Sequence, residues 1–200
     1  MRVGRIIGVL LWAVMLAAAS VQHWTKTSNE LIWRGRYTNC DKGYALILPD
    51  GVAAHGSLPP SPNHGILVSA EAPGTTAEVK LGSPRLIDVY DDYDAEELGS
   101  ARAYLEKYQE QSAKVVETRD LTFKGLPAAY VHYRVKKEAV VIETEELVVY
   151  RTNGKNHGPI FYVIMLQTPA EHASQDALLY HKIRDGFQVL PVPKGECSND

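Results

Sequence analysis

The stretch PIFYVIMLQT, residues 159–168, constrains the fold more than any other part of the chain. Every residue from Ile160 to Leu166 is apolar or aromatic, so a strand there presents such side chains on both faces. A strand of this kind is typical of the middle of a sheet that has a covering layer on each side. The sequence therefore predicts a central strand at these positions.

Shorter patterns predict the strands around it. In LPAAYVHYRV, residues 126–135, small and apolar side chains alternate with Tyr130, His132 and Arg134, as in a sheet packed on one side. Further strands are predicted in YALIL (44–48), VAAH (52–55), GILVSAEA (65–72), RLIDVYDDY (85–93) and AVVIETEELVVYR (139–151). The turn residues 49–51, Pro-Asp-Gly, predict that the first two of these form a hairpin.

Two helices are predicted from apolar residues that recur every three to four positions. The first begins at Asp94, where an N-cap residue is followed three residues later by Glu97. The second covers SQDALLYHKIRDGF, residues 174–187, after a capping-box candidate at 168–171, and ends at Gly186. The residues predicted to be buried are Leu98, Ala101, Leu105 and Tyr108 in the first helix, and Leu178, Leu179 and Ile183 in the second.

These elements predict the α+β fold class, with an antiparallel β-sheet flanked by helices. No internal repeat and no long linker divides the chain, so one domain is expected over residues 44–190. Residues 20–43 are predicted to be a leader segment with one short turn of helix at Glu30–Trp33. Residues 191–200 are predicted to be a C-terminal tail.

The first 19 residues have the order of a secretory signal peptide. Arg2 and Arg5 precede an uncharged run, which ends in the small residues Ala17 to Ala19. This order predicts cleavage near Ala19 and a periplasmic or secreted protein. The alternative is an anchor retained in the membrane over residues 6–25, because about twenty uncharged residues can cross a bilayer.

Charge excludes several classes of partner. Removing Arg2 and Arg5 from the 21 basic residues leaves 19 against 24 acidic ones, a net charge of −5. A mildly acidic domain without clustered Lys and Arg argues against nucleic acid and anionic lipid as partners. The expected partner is a protein or a small-molecule ligand, and the membrane itself only if the N-terminal segment is retained.

Two cysteines, Cys40 and Cys197, lie at opposite ends of the predicted domain. In an oxidising compartment the simplest outcome is one disulfide between them, which ties the C-terminal tail to the start of the first predicted strand. The alternative, a thiol nucleophile, lacks the CxxC motif or basic neighbours that lower a thiol pKa.

Three motifs together resemble the PsbP-like and DcrB-like family of exported α+β sandwiches. They are residues 125–128, Gly-Leu-Pro-Ala, opening a strand, the apolar strand of Ile160 to Leu166, and residues 183–187, Ile-Arg-Asp-Gly-Phe, closing the last helix. The resemblance implies an α/β/α sandwich and a non-enzymatic accessory or binding role in the bacterial cell envelope. Some members help a larger membrane complex keep its ions. Family members commonly have serine where Gly186 stands, and the loop between His55 and His64 is an elaboration.

Three His-Gly pairs are the candidate ligand-binding site. His55 and His64 bracket the loop HGSLPPSPNHG, residues 55–65, in which Asn63 belongs to a β-turn, and His157 lies in the loop before the central strand. If these loops share one end of the sheet, three imidazoles suit zinc or copper. The alternative is surface histidines beside flexible glycines, with no metal and no other cofactor.

Two acidic stretches are weaker candidates. Residues 92–96 begin like a calcium loop but continue with Glu97 where that loop needs glycine. Glu143 and Glu145 share one face of a strand, either as a carboxylate pair or as cross-strand partners of Arg134 or Lys136 on a solvated outer face, and the second interpretation is favoured. Motifs for a serine or cysteine nucleophile and for phosphate cradles are missing from the sequence.

The sequence therefore favours an exported, non-catalytic binding or accessory protein. Two alternatives stay open. One is a metal-dependent hydrolase that uses His55, His64 and His157, and the other is a structural subunit tethered to the membrane by its N-terminal segment.

Overall fold

The computed structural model describes residues 25–27, 30–56, 65–93, 96–154 and 158–191. The strands in these ranges are β1 Thr25–Thr27, β2 Glu30–Trp33, β3 Arg36–Asn39, β4 Tyr44–Ile47, β5 Ala54–Gly56, β6 Ile66–Ser69, β7 Leu86–Asp92, β8 Lys114–Phe123, β9 Leu126–Lys137, β10 Val140–Arg151, β11 Ile160–Pro169 and β12 Phe187–Val189. The α-helices are α1 Ala101–Tyr108 and α2 Ala173–Asp185, and a 3₁₀ turn covers Glu96–Leu98. None of the helices in the described ranges has the length and apolar character needed to span a membrane.

Most strands belong to one large antiparallel sheet. It has nine strands in the order β1-β2-β5-β6-β7-β11-β10-β9-β8, and a second sheet has the order β12-β4-β3. Strand β11 lies between β7 and β10, and its residues from Ile160 to Ile164 are fully buried. The predicted α+β class and the central position of this strand are confirmed.

The two faces of β11 belong to two different hydrophobic clusters. Ile160, Tyr162 and Ile164 pack in one cluster with residues of α2 and of the three-stranded sheet. Phe161 and Val163 pack in the other with residues of α1, β9 and β10. This division explains why the strand is apolar on both faces.

The predicted hairpin between β4 and β5 is wrong. A turn does form at Pro49, because the Val52 amide donates to the Pro49 carbonyl over 3.1 Å and Gly51 has a φ of 78°. However, β4 pairs with β3 and β12, whereas β5 pairs with β2 and β6. The turn reverses the chain, but the stacking of the Tyr44 ring on Phe187, 5.5 Å between centroids, keeps β4 in the smaller sheet.

The helical turn predicted at Glu30–Trp33 is also wrong. These residues form β2, in which Ile32 lies opposite His55 and Trp33 opposite Ala54 of β5. The Trp33 ring meets the Tyr37 ring of β3 edge to face at 5.1 Å, so burial of aromatic surface decides the conformation here. The organised part of the chain therefore includes residues before Tyr44.

Helix α1 begins later than predicted, helix α2 begins at Ala173 rather than at the capping-box candidate, and parts of the predicted buried faces of both helices differ. Helix α1 begins after Ser100, whose hydroxyl accepts a hydrogen bond from the Ala103 amide, while Asp94 lies outside the described residues. Tyr108 is 48% exposed and Leu178 66% exposed, so predicting both as buried was wrong. Tyr104 of α1 and Tyr180 of α2 are buried instead.

Strands β8 and β12 were not predicted. Residues 114–120 of β8 are all exposed, so the strand has no apolar alternation that a sequence pattern could detect. Strand β12 is three residues long and follows α2 directly, and its first residue, Phe187, was predicted as part of the second helix.

Candidate binding surface around helix α2

The predicted histidine site is only partly within the described residues. His55 is 4% exposed in β5, and its Nε2 lies 3.1 Å from the carbonyl oxygen of Thr75. A carbonyl can only accept, so Nε2 carries a proton in this contact. Asn63, His64 and His157 lie outside the described residues, so a shared site with His55 stays a prediction. Within the described ranges, no group of three or more His, Cys, Asp or Glu side chains is placed to hold a metal ion.

The predicted disulfide also stays a prediction. Cys40 lies in the turn between β3 and β4, and the described part of the chain contains no free cysteine. Cys197 lies outside the described residues.

A groove runs along the first half of α2. The loops that follow β4 and β6 lie beside this helix and enclose a volume of about 480 Å³. Its lining residues are Pro49, Asp50, Gly51, Val52, Ala70, Glu71, Pro73, Gly74, Gln175, Asp176, Leu178, Leu179 and Lys182. The groove therefore combines an apolar lining with both acidic and basic groups, and the exposed Leu178 lies in its wall.

A buried ion pair fixes the helix beside this groove. Both oxygens of Asp176 accept from the Arg85 guanidinium, at 2.8 and 2.5 Å, and the Thr168 hydroxyl donates to the same carboxylate at 2.6 Å. Burial by itself raises the pKa of Asp176, but the hydrogen bonds from Arg85 and Thr168 outweigh it and lower this pKa below its ordinary value. The carboxylate stays ionised and holds the first turn of α2 against β11 and the start of β7.

A smaller pocket of about 190 Å³ lies at the other end of α2. Strands β8, β9 and β10 and the last residues of the helix form it. Its lining residues are Arg119, Leu121, Phe123, Tyr130, Leu147, Arg184 and Asp185. The Arg119 guanidinium lies 4.8 Å above the Tyr130 ring, so a cation stacks on the aromatic wall of this pocket.

Next to this pocket lies a histidine–glutamate cluster, formed by Tyr130, His132, Arg134, Glu143, Glu145 and His181. Glu143 accepts from His132 Nε2 at 2.8 Å and from Arg134 Nε at 2.8 Å. Glu145 accepts from the Tyr130 hydroxyl at 2.8 Å and lies 3.3 Å from His181 Nε2. Each carboxylate contacts one imidazole and is largely buried, so the solvated outer face predicted for these two residues is wrong.

The sequence predicted half of this cluster. The cross-strand pairing of Glu143 with Arg134 is confirmed, since the two are directly opposite in the β9–β10 register. His132 was missed as a site residue, although it alternates with Tyr130 and Arg134 on the polar face of β9, and this pattern could have found it. His181 comes from α2, and no local pattern connects it to Glu145.

The contacts of the cluster set the tautomer of its two imidazoles. A carboxylate beside Nε2 stabilises the tautomer that carries its proton there, which leaves Nδ1 of each ring as an acceptor.

Two further carboxylates are buried away from this surface. Asp91 in β7 has both oxygens buried without a hydrogen bond, and Lys42 Nζ lies 3.8 Å away. Burial raises the pKa of Asp91 to about 7, against the opposing effect of Lys42. Burial, together with the charge of Asp88, raises the pKa of Glu146 to about 7. Asp88 and Asp91 point to opposite faces of β7, so this part of the acidic run does not converge on one ion.

Comparison with known proteins identifies the fold. No protein-family model and no curated protein matches the chain. Among solved structures, LpqN of Mycobacterium tuberculosis, which is involved in cell envelope biogenesis, is 14% identical with a TM-score of 0.55, over 80% of this chain and 92% of its own. Cyanobacterial PsbP from Synechocystis sp. PCC 6803 is 15% identical with a TM-score of 0.53, over 77% of this chain and 91% of its own. Structural similarity at sequence identities this low shows the fold alone.

Proposed function

We propose that this chain, whose fold is PsbP-like, is an exported, non-catalytic binding protein of the bacterial cell envelope. Its α/β/α layers act as a rigid frame for the surface around α2. The observation that carries the proposal is the 480 Å³ groove, in which apolar residues from two loops and the exposed Leu178 meet charged groups. A cleft of this size and mixed lining suits a binding site. The cell-envelope role of LpqN supports the compartment.

The occupant we infer is a segment of a partner protein. The groove is open along α2, and both Glu71 and Lys182 lie in its lining, so an extended or helical segment with an apolar side chain and charges of both signs fits it. Leu178 is the contact residue, because a leucine that is 66% exposed buries most of its side chain only when a partner covers it.

Site-specific photocrosslinking in living cells tests this function. Benzoylphenylalanine at position 178 is expected to give one adduct of defined mass, and the same group at Leu81 none. Leu81 is the matched control because it is also an exposed leucine, in a loop that does not line the groove. Equal adducts from both positions, or no adduct from either, would count against binding at the groove.

Export is tested separately by N-terminal sequencing of the protein from its native cells. A start near Ser20 is the expected result, because the small residues before it suit a signal peptidase. An intact Met1 or Arg2 would instead support the membrane-tethered alternative.

Elemental analysis tests the metal-dependent alternative. Zinc bound in stoichiometric amount and lost on substitution His64→Ala would favour the hydrolase. A folded protein without bound metal would remove that hypothesis.

A further inference from the structure

Strand β8 is a long and uncovered edge of the large sheet. It spans ten residues, and its partner on the inner side is β9. No described strand pairs with its outer side, and residues 114–120 are exposed one after another. Its outer backbone amides and carbonyls are therefore available to a further strand.

Charged side chains usually protect such an edge, but here their order makes the strand complementary to itself. Glu117 and Arg119 are two residues apart on the same face, and Arg119 Nη1 lies 2.7 Å from Glu117 Oε1. In an antiparallel pair centred on Thr118, Glu117 lies opposite Arg119 of the partner subunit, and the same contact repeats by symmetry. Opposite charges directly across from each other stabilise such a pair.

We propose that β8 is a homodimer interface, in which it pairs antiparallel with β8 of a second copy about a two-fold axis at Thr118. The charges of the strand support a second copy as the occupant. The charges of Lys114, Glu117, Arg119 and Asp120 sum to zero, so the two paired strands do not carry net charges of the same sign. The two-fold pairing uses the same edge of both copies and closes the assembly at two subunits.

Two exposed apolar side chains support the same surface. Val115 and Val116 are 44% and 49% exposed, and they lie at the bulge where β8 shifts its register against β9. A second strand along this edge covers part of both side chains. The bulge increases the local twist, which suits a closed pair of two edges more than growth of a flat sheet of many strands.

Exchange of the charges of Glu117 and Arg119 tests the proposal. The protein is produced from its full-length coding sequence, and its association is measured by analytical ultracentrifugation. The wild-type protein is expected to show a monomer–dimer equilibrium at concentrations up to about 1 mM. Arg119→Glu places Glu117 opposite a second carboxylate, and Glu117→Arg places two guanidinium groups opposite each other. Each single substitution is expected to raise the dimer dissociation constant by roughly tenfold or more, and the double substitution is expected to restore it.

The pair Glu78 and Lys80 is the matched control. These side chains are also two residues apart and exposed, and their charged atoms lie 3.2 Å apart. The same single and double exchanges there are expected to leave the dissociation constant unchanged. All four side chains are exposed, so each variant is expected to fold. Circular dichroism of every variant checks this.

A cysteine scan tests the register. Thr118→Cys places two thiols next to each other at the two-fold axis, where a disulfide between subunits forms under air oxidation. Thr122→Cys, four residues away, is the control, because the two copies of that position lie about 27 Å apart at about 3.4 Å per residue. A covalent dimer from position 118 alone is expected.

Three results would overturn the dimer. They are a wild-type protein that stays monomeric over the whole concentration range, a double exchange that fails to restore association, and covalent dimers formed equally from positions 118 and 122.

Discussion

At the scale of single residues, Asp176 and Glu146 are both buried carboxylates, yet their surroundings move the pKa in opposite directions. Asp176 receives hydrogen bonds from Arg85 and Thr168, which outweigh burial and lower its pKa. Glu146 is buried near Asp88, and both effects raise its pKa to about 7. The first residue stabilises the fold as an anion, whereas the second costs stability when it is ionised.

Replacing Asp176 by alanine is expected to lower the free energy of unfolding at pH 7 by about 3 kcal/mol, because it leaves Arg85 largely buried without its partner. Urea denaturation measures the change. Asp185→Ala is the control, since its side chain is 64% exposed and a change under about 0.5 kcal/mol is expected. A loss at Asp176 no larger than the loss at Asp185 would contradict the structural role of this ion pair.

Glu146→Gln is expected to raise the free energy of unfolding at pH 8 by about 2 kcal/mol. The folded pKa is above the unfolded value of 4.5, so the folded protein binds the proton more tightly between these values. Stability from this group is therefore present at pH 4 and is lost as the pH rises towards 7. Unfolding curves at both pH values check this sign, and exposed Glu106→Gln serves as the control.

At the scale of elements, two tight turns set the register of β8, β9 and β10. Lys124 and Gly125 both have positive φ, 50° and 82°, as a two-residue hairpin turn requires. In the next turn, between Lys137 and Val140, Glu138 has a φ of 55°. A side chain in this left-handed region is unfavourable, by about 1–2 kcal/mol.

Glu138→Gly is expected to stabilise the protein by about 0.5 kcal/mol. Relief of the left-handed strain slightly outweighs the extra freedom of glycine in the unfolded chain, which costs about 0.4–1 kcal/mol. Ala139→Gly is expected to act in the opposite direction, because Ala139 has no positive φ to relieve. Thermal unfolding measures the change in stability for both variants. Changes of the same sign would contradict backbone strain at Glu138.

At the scale of the whole molecule, the sequence predicts a covalent link between the turn after β3 and the C-terminal tail, through Cys40 and Cys197. Two hydrogen bonds of Leu190 lie near this path. Arg151 Nη1 donates to the Leu190 carbonyl at 2.7 Å, and the Leu190 amide donates to the Gly43 carbonyl at 2.8 Å. These bonds hold the start of the tail beside the turn that contains Cys40.

Mass spectrometry after alkylation without reductant is expected to find no modified cysteine in the exported protein. Cys40→Ser and Cys197→Ser are each expected to lower the free energy of unfolding by about 2–4 kcal/mol, because the unfolded chain gains freedom when the long loop opens. Alkylation of either cysteine in the folded wild-type protein would contradict the link.

Part of the architecture and of the candidate site could be predicted because local periodicity reports which side chains must be buried. Strand β11 follows from an uninterrupted apolar run, and the pairing of Glu143 with Arg134 follows from alternation along two strands joined by a tight hairpin. The exposed strand β8 carries no such periodicity, and the groove beside α2 is formed by segments far apart in the sequence.

The sequence by itself therefore determined the antiparallel α+β class, the buried centre of the large sheet and the cross-strand pairing of Glu143 with Arg134. Only the tertiary structure decided that β4 and β5 belong to different sheets, that Arg85 holds Asp176 across 91 residues, and that His181 reaches Glu145. The physical reason is that a residue's preference for burial is local, whereas its partner is selected by how distant segments pack together.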